Sequence, residues 1–186
     1  GIGRQVLQLY LPIYLEAEIG LTPFVVGLAS LGSCSFSIVF LASGPYFLRR
    51  LGVRPMLAIG LAALTLRLFA VSHLPVVSPA NAARVSAYAV VAEFLNGISF
   101  AFTHIAGVQE ATACAPEGAQ ATFQAAYTCM YAQLPAVVVS LVGGLVFEYV
   151  RGRALMQFTF WLSLAALLAL LAFGAAVSIR RAIVRS

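Results

Sequence analysis

Residues 158–173 read Phe-Thr-Phe-Trp-Leu-Ser-Leu-Ala-Ala-Leu-Leu-Ala-Leu-Leu-Ala-Phe, an apolar run without a charged side chain. A helix needs about 20 mostly apolar residues to cross the hydrocarbon core of a bilayer. The residues on either side, 154–157 and 174–179, also lack charge and extend the run to the required length. The stretch therefore predicts a transmembrane helix over residues 154–179, and its apolar surface indicates that this helix faces lipid.

The composition of the whole chain agrees with this run. Of its 186 residues, 62% are hydrophobic and only 9% are charged, and the mean hydropathy is +0.98. A soluble globular domain carries about a quarter charged residues. The composition therefore excludes a water-soluble enzyme, a disordered chain and a nucleic-acid-binding domain, and it favours a polytopic membrane protein.

Five further apolar runs lie before residues 154–179 in the chain, and short turns containing Gly, Pro or Arg separate them. No break is long enough to hold a soluble domain, so we expect one domain over residues 1–186. The predicted fold is all-α, a polytopic membrane protein with six transmembrane helices. The approximate spans are 4–19, 23–48, 55–74, 85–112, 119–149 and 154–179.

The arginines near the span ends predict the orientation, because Lys and Arg are enriched in cytoplasmic loops. If the first helix runs outward, seven such arginines lie on the cytoplasmic side and three lie outside. This distribution predicts that both termini are cytoplasmic. The cytoplasmic set is Arg4, Arg49, Arg50, Arg54, Arg180, Arg181 and Arg185, and the outer set is Arg84, Arg151 and Arg153.

Residue patterns for metal binding or catalysis are missing from the sequence. Cys34, Cys114 and Cys129 are odd in number and lie mostly in apolar runs, which argues against a disulfide framework. There is no CxxC pattern, no HExxH pattern and no nucleophile–base pattern. We therefore expect no metal, no cofactor and no enzymatic activity. The net charge of +5 does not indicate a nucleic-acid partner, because the arginines lie at the ends of apolar runs.

Two charged residues fall inside the predicted spans. Arg67 lies about 10 Å from the outer end of the third span, and Glu93 lies about 12 Å from the outer start of the fourth, at 1.5 Å per residue. The two helices are antiparallel, so these depths match and predict a pair. Intramembrane charges normally face the protein interior. Three interpretations stay open: a structural ion pair between helices, a role in substrate or proton coupling, or an Arg67 side chain that snorkels to the membrane interface.

Polar side chains also form stripes on two predicted helices. Those of the fourth span recur every three or four residues and so share one face. The stripes predict either the lining of a wet cavity or hydrogen bonds between helices. We interpret the lone His104 as a packing or interface residue rather than a proton relay. The predicted cavity-lining residues are Gln8 on the first span, Asn96 and Thr103 on the fourth, and Gln124, Tyr127 and Tyr131 on the fifth.

Small residues and one proline predict how the helices pack. The second span is rich in Gly, Ala and Ser, including Gly27 and Gly32, and Gly143 and Gly144 lie near the end of the fifth. Small residues allow close approach of membrane helices. Pro135 removes one backbone donor inside the fifth span, which predicts a kink there.

Several stretches in order resemble one family. The chain resembles the C-terminal six-helix half of a major facilitator superfamily transporter, within the major-facilitator-domain-containing protein 6 group and its lactose-permease-like relatives. The stretch at residues 44–55 is a basic turn that resembles the superfamily's loop signature, although it lacks the Asp of that signature. The stretches are GPYFLRRLGVRP at 44–55, LRLF at 66–69, EFLNGISFAF at 93–102, AP at 115–116, ATFQ at 121–124 and GGLVFE at 143–148.

This resemblance implies a carrier that works by alternating access, with its site at the midplane between two six-helix halves. The first, second, fourth and fifth spans would line the cavity, and the third and sixth would be peripheral. Arg67 matches an arginine that lactose permease uses in proton coupling. Asn96 and Ser99 stand where that protein has the His and Glu that work with it, so the chain departs from the lactose-permease pattern at both positions.

We therefore expect one half of a secondary active transporter of a small solute, with proton symport as an open mode of coupling. Its expected partners are the solute, the lipid bilayer, and either a missing N-terminal six-helix half or a second copy of the chain. The first span begins abruptly, which favours the missing half. The alternatives are a non-transporting membrane receptor or scaffold of the same fold, and a half-size carrier that dimerises.

Overall fold

A computed structural model describes residues 1–185, and it describes their side chains except at 148, 150 and 175–185. Within this part of the chain, every element of regular secondary structure is a helix. The predicted all-α, polytopic membrane fold is confirmed, because several of these helices are long and apolar enough to cross a bilayer.

Eight α-helices and two π-helical turns make up the described fold. One π-helical turn, Leu15–Ile19, continues the first helix, and the other, Cys129–Gln133, joins the sixth and seventh. The helices are α1 Ile2–Tyr14, α2 Pro23–Ala42, α3 Gly44–Leu51, α4 Val53–Ser72, α5 Ala82–Ala113, α6 Gln120–Thr128, α7 Leu134–Val150 and α8 Gly152–Arg185.

Five helical stretches in the described residues have the length and hydropathy of membrane spans. The first predicted span, 4–19, is not among them, because the helical stretch 2–19 is short and carries three charged residues. These are Arg4, Glu16 and Glu18. The five stretches are Pro23–Ala42, Val53–Ser72, Ala82–Ala113, Gln120–Phe147 and Gly152–Gly174.

The predicted second span, 23–48, is two helices in the structure. α2 ends at Ala42, and α3 begins after Ser43 with Pro45 in its first turn, where the missing N–H of proline leaves no helical bond unmade. Gly52, with a φ of +79°, then separates α3 from α4. Much of the predicted basic turn at 49–55 is therefore helical, and only Gly52 breaks it.

The fifth predicted span is irregular near Pro135, the residue at which the sequence predicts a kink. The irregularity is the π-helical turn Cys129–Gln133, which ends two residues before the proline. Proline has no N–H to donate to the preceding turn, and π turns occur as single-turn bulges inside α-helices. Gln5 of α1 donates to the Ala132 carbonyl oxygen at 3.1 Å, so this turn is also held by another helix.

α5 is the central helix, and it packs against α2 and α4, while α8 packs against α4 and α1. The close approach of α5 to α2 depends on Gly97, where an added Cβ would lie 2.8 Å from the Phe36 backbone. The glycines of α2 itself, Gly27 and Gly32, have no neighbour within 4 Å of such an atom. The small residues of α2 that are buried are instead Ala29, Ser33 and Ser37.

Near the end of the fifth predicted span, Gly143 approaches a neighbouring helix more closely than Gly144 does. A Cβ on Gly143 would lie 2.8 Å from the Tyr10 ring, whereas one on Gly144 would lie 3.5 Å from the Tyr10 hydroxyl. Tyr10 also donates to the Val139 carbonyl oxygen at 3.2 Å. α1 therefore lies directly against α7, which places the first and fifth predicted spans side by side.

Candidate functional site

The two charged residues inside the predicted spans meet in the structure. Arg67 Nη2 donates to the Oε1 and Oε2 atoms of Glu93 at 2.7 and 2.8 Å, and Arg67 Nε donates to Oε1 at 3.2 Å. Only 5% of the Arg67 side chain and 8% of the Glu93 side chain are exposed. Each charge neutralises the other, so the pairing lowers the cost of burying both.

Asn96 and Ser33 extend this ion pair into a network across three helices. Arg67 Nη1 donates to Asn96 Oδ1 at 2.6 Å, and Asn96 Nδ2 donates to Ser33 Oγ at 2.6 Å. Glu93 and Asn96 lie three residues apart on α5 and therefore share a face. The network thus connects α4 to α5 and α5 to α2, and it satisfies the guanidinium on two sides.

This network forms part of the wall of a cavity of about 420 Å³ between α1, α2, α4 and α5. The volume falls within the range of about 300–1,000 Å³ that is typical of small-molecule sites. Gln8, which the sequence predicts as cavity-lining, lies on the α1 side. Serines of α2 supply hydroxyl groups on another side. The neutral polar lining comprises Gln8, Ser30, Ser33, Ser37 and Asn96.

Arg4 faces the same cavity. Its guanidinium carbon lies 3.8 Å from the Phe100 ring centroid and 5.9 Å from that of Tyr131, so it makes a cation–π contact. Phe100 lies near the middle of α5, which has 32 residues. The structure therefore places Arg4 inside the bundle rather than at the interfacial position that the orientation argument assumed.

Without Arg4, the arginines near the span ends number six on the predicted cytoplasmic side against three outside. Three of the six, Arg180, Arg181 and Arg185, lie outside the described side chains. The cytoplasmic location of both termini stays a prediction.

Three of the predicted cavity-lining residues form a separate cluster. The Thr103 and Tyr131 hydroxyls lie 2.9 Å apart, and the Tyr127 hydroxyl donates to the Thr103 carbonyl oxygen at 3.1 Å. The two tyrosine rings stack with centroids 5.5 Å apart. All three residues border another cavity of about 590 Å³, which α8 also lines. The structure thus places five of the six predicted lining residues at two cavities, Gln8 and Asn96 at the first and these three at the second.

His104 packs against this cluster. Its ring centroid lies 6.2 Å from that of Tyr127 and 6.4 Å from that of Tyr131, and it stacks on Phe100 at 5.4 Å. Its Nδ1 atom is buried and has no hydrogen-bond partner among the described residues. These contacts agree with the packing role that the sequence indicates.

Gln124 makes a hydrogen bond between helices. Its Nε2 atom donates to Thr112 Oγ1 at 2.9 Å, and so ties α6 to the end of α5. The sequence left open whether such polar residues line a cavity or bond neighbouring helices. For Gln124, the observed contact is the second of these.

Sequence reasoning missed the place of Arg4 and the partner of Asn96. Arg4 and Gln8 lie four residues apart and so share a face of α1, which was a usable signal that both point the same way. Ser33 gave no comparable signal, because it is one of several serines in α2. Which of these serines meets Asn96 depends on how α2 is rotated against α5.

Comparisons with curated proteins and with solved structures found no match. The model of the MFS_1 like family matches residues 1–160, a segment that contains every residue of the Arg67–Glu93 cavity. This membership points to transport rather than catalysis. Since the match spans most of the chain, the protein belongs to the MFS_1 like family and is a multi-pass membrane protein of the major facilitator type.

Proposed function

We propose that the chain forms one half of a secondary active transporter that moves a small solute across a membrane by alternating access. Family membership supports transport in general. The observation that carries the more specific proposal is the buried network of Arg67, Glu93, Asn96 and Ser33 in the wall of a polar cavity. Charged and amide groups at membrane depth mark solute and ion pathways.

Proton coupling is the second part of the proposal, and Glu93 is the residue that would carry the proton. A proton on the Glu93 carboxylate removes the charge that holds Arg67, while Asn96 Oδ1 remains as an acceptor for the guanidinium. Protonation therefore weakens the contact of Arg67 with Glu93 and keeps its hydrogen bond to Asn96. The proton and the solute would move in the same direction, with release of both on the far side.

A second six-helix bundle completes the carrier in this proposal, because such transporters enclose their path between two bundles. It is either an N-terminal half or another copy of this chain. α2 and α7 expose large apolar side chains that lipid or such a bundle would cover. Among these, Phe24 is 79% exposed, Leu31 67% and Leu141 69%. The resemblance to the lactose-permease-like group supports the same arrangement.

Cysteine accessibility tests the proposed path in the intact carrier after removal of its native cysteines. A cysteine at Asn96 or Tyr127 should react with a small water-soluble methanethiosulfonate reagent. A cysteine at Leu168 should not, because this residue is 58% exposed on α8 and would face lipid, which holds no water to ionise the thiol. Equal reactivity at Asn96 and Leu168 contradicts the proposed path.

Uptake into proteoliposomes tests transport and its coupling with a panel of sugars, nucleosides, amino acids and organic acids. Glu93→Gln keeps the size of the side chain and removes the titratable group, so uptake should no longer be accelerated by an imposed proton gradient. Glu110→Gln, at an exposed position on the same helix, is the matched control. An unchanged gradient response in Glu93→Gln rules out coupling through this residue.

A non-transporting receptor or scaffold predicts a different pair of results. Its cavity positions would react with the thiol reagent, but the purified protein would take up no solute of the panel. The half-size alternative predicts that a purified dimer of this chain transports, whereas a missing N-terminal half predicts that it does not.

A further inference from the structure

The side chains that line the cavity between α1, α2, α4 and α5 carry a net positive charge. Three charged side chains line it: Arg4, Arg67 and Glu93. Arg67 and Glu93 neutralise each other in the ion pair, so the remaining charge is that of Arg4. Within the part of the chain whose side chains are described, that ion pair is the only one, and Arg4 has no carboxylate partner.

Arg4 is held where a ligand can reach it. The Phe100 ring covers one face of its guanidinium at 3.8 Å, and no described hydrogen bond occupies its N–H groups. A cation over an aromatic face keeps its donor edge free for an acceptor in the plane. Gln8 lies one helical turn further along α1 and lines the same cavity, so it adds an amide to the cavity wall.

An unpaired cation in a membrane bundle is costly unless an anion neutralises it. Arginine presents two parallel donors that match the two oxygens of a carboxylate. The remainder of the lining is mixed, with hydroxyls from α2 and apolar side chains from Ile38 and Leu41. A single negative charge on a compact organic body fits both the charge and the lining.

We propose that this cavity binds a small organic monoanion, and that the carboxylate of this ligand pairs with Arg4. The inference rests on the proposed function, because it names the chemical class of the transported solute. Arg67 is not the anchor, since each of its three guanidinium nitrogens already donates to Glu93 or Asn96. Arg4 is therefore a specificity-determining residue that selects anions over neutral solutes of the same shape.

Cys34 provides a native reporter, because it is a free, exposed cysteine that lines this cavity. In the intact carrier with Cys114 and Cys129 replaced by Ser, its modification rate is measured with two methanethiosulfonates. One carries a sulfonate and the other a trimethylammonium group, and each rate is divided by that of free 2-mercaptoethanol. A positive cleft raises the local concentration of anions, so we expect the normalised sulfonate rate to be about tenfold higher or more.

Variants of Arg4 separate charge from shape. Arg4→Gln should bring the ratio of the two normalised rates close to one, and Arg4→Lys, which retains the charge, should keep most of the preference. Benzoate should protect Cys34 at concentrations at which its neutral isostere benzamide does not, and this difference should disappear in Arg4→Gln. If Arg4→Gln fails to fold, the wild-type rate ratio and the benzoate–benzamide difference still test the proposal.

Two results overturn it. Equal normalised rates in the wild-type protein mean that the cavity carries no net positive charge, as would follow if a carboxylate from outside the described residues neutralises Arg4. Equal protection by benzoate and benzamide means that charge does not select the ligand.

These results are independent of transport itself. Charge-selective protection without uptake of any solute supports the anion site and contradicts the carrier. Uptake of neutral solutes together with equal protection supports the carrier and contradicts the anion site.

Discussion

Glu18 caps the first residue of α8, Gly152. The Oε1 atom of Glu18 accepts the backbone N–H of Gly152, and its Oε2 atom accepts that of Arg153 at 3.2 Å. The N-terminal N–H groups of a helix lack partners within it, and the helix dipole attracts a negative charge there. The Arg153 guanidinium in turn donates to the Leu74 carbonyl oxygen at 2.8 Å. One carboxylate thereby ties the end of the first helical stretch to the start of the last.

Replacement of Glu18 by Ala should lower the free energy of unfolding in detergent by about 1 kcal/mol, which is the usual worth of a charged cap at a helix N-terminus. Glu16→Ala is the matched control, because Glu16 lies in the same π-helical turn and is exposed. Thermal unfolding of the purified variants measures the difference. Equal losses in both variants would mean that the cap contributes nothing specific.

The Arg67–Glu93 pair should show coupled stability. Removal of one partner leaves an unpaired buried charge, so Arg67→Ala and Glu93→Ala should each cost about 3–5 kcal/mol. The double variant carries no unpaired charge and should recover part of this loss. Folded yield and unfolding in detergent, compared across the four proteins, give the interaction energy. If the two losses simply add, Arg67 and Glu93 have no interaction energy and the predicted coupling is wrong.

Gly97→Ala should destabilise the contact between α2 and α5. The added methyl group would lie 2.8 Å from backbone and side-chain atoms of Phe36, and such overpacking typically costs about 1–3 kcal/mol. Gly27→Ala is the control, because its methyl group would meet no atom within 4 Å, and alanine is the better helix former. Unfolding in detergent should separate the two variants. A Gly97→Ala protein as stable as Gly27→Ala would contradict the close approach.

Labelling of single cysteines tests the predicted orientation. Positions 50 and 80 are both exposed in the structure, the first at the end of α3 and the second in the loop before α5. An impermeant thiol reagent added to intact cells should label a cysteine at Ala80 and leave one at Arg50 unlabelled. A cysteine at Arg181 should also be protected. Labelling at Arg50 but not at Ala80 would show that the orientation is reversed.

Periodicity and hydropathy predicted the helices well but not all their ends. The predicted second span was too long because residues 43–48 carry no charge, although Gly44 and Pro45 mark the point where α3 begins. The sequence predicted the first span as a transmembrane helix like the other five, but two of its three charged side chains make specific contacts inside the fold. Arg4 faces the cavity and Glu18 caps α8.

The sequence by itself determined that the chain crosses a membrane several times, because an apolar run of about 20 residues is stable as a helix in lipid. It also determined that Arg67 and Glu93 turn inward, since an unpaired charge is costly in lipid. Only the tertiary structure decided which neutral residues join that pair, where Arg4 points and which helix Glu18 caps. Those contacts connect residues far apart in the chain, and they depend on the rotation and tilt of each helix against its neighbours, which hydropathy and helical period leave undefined.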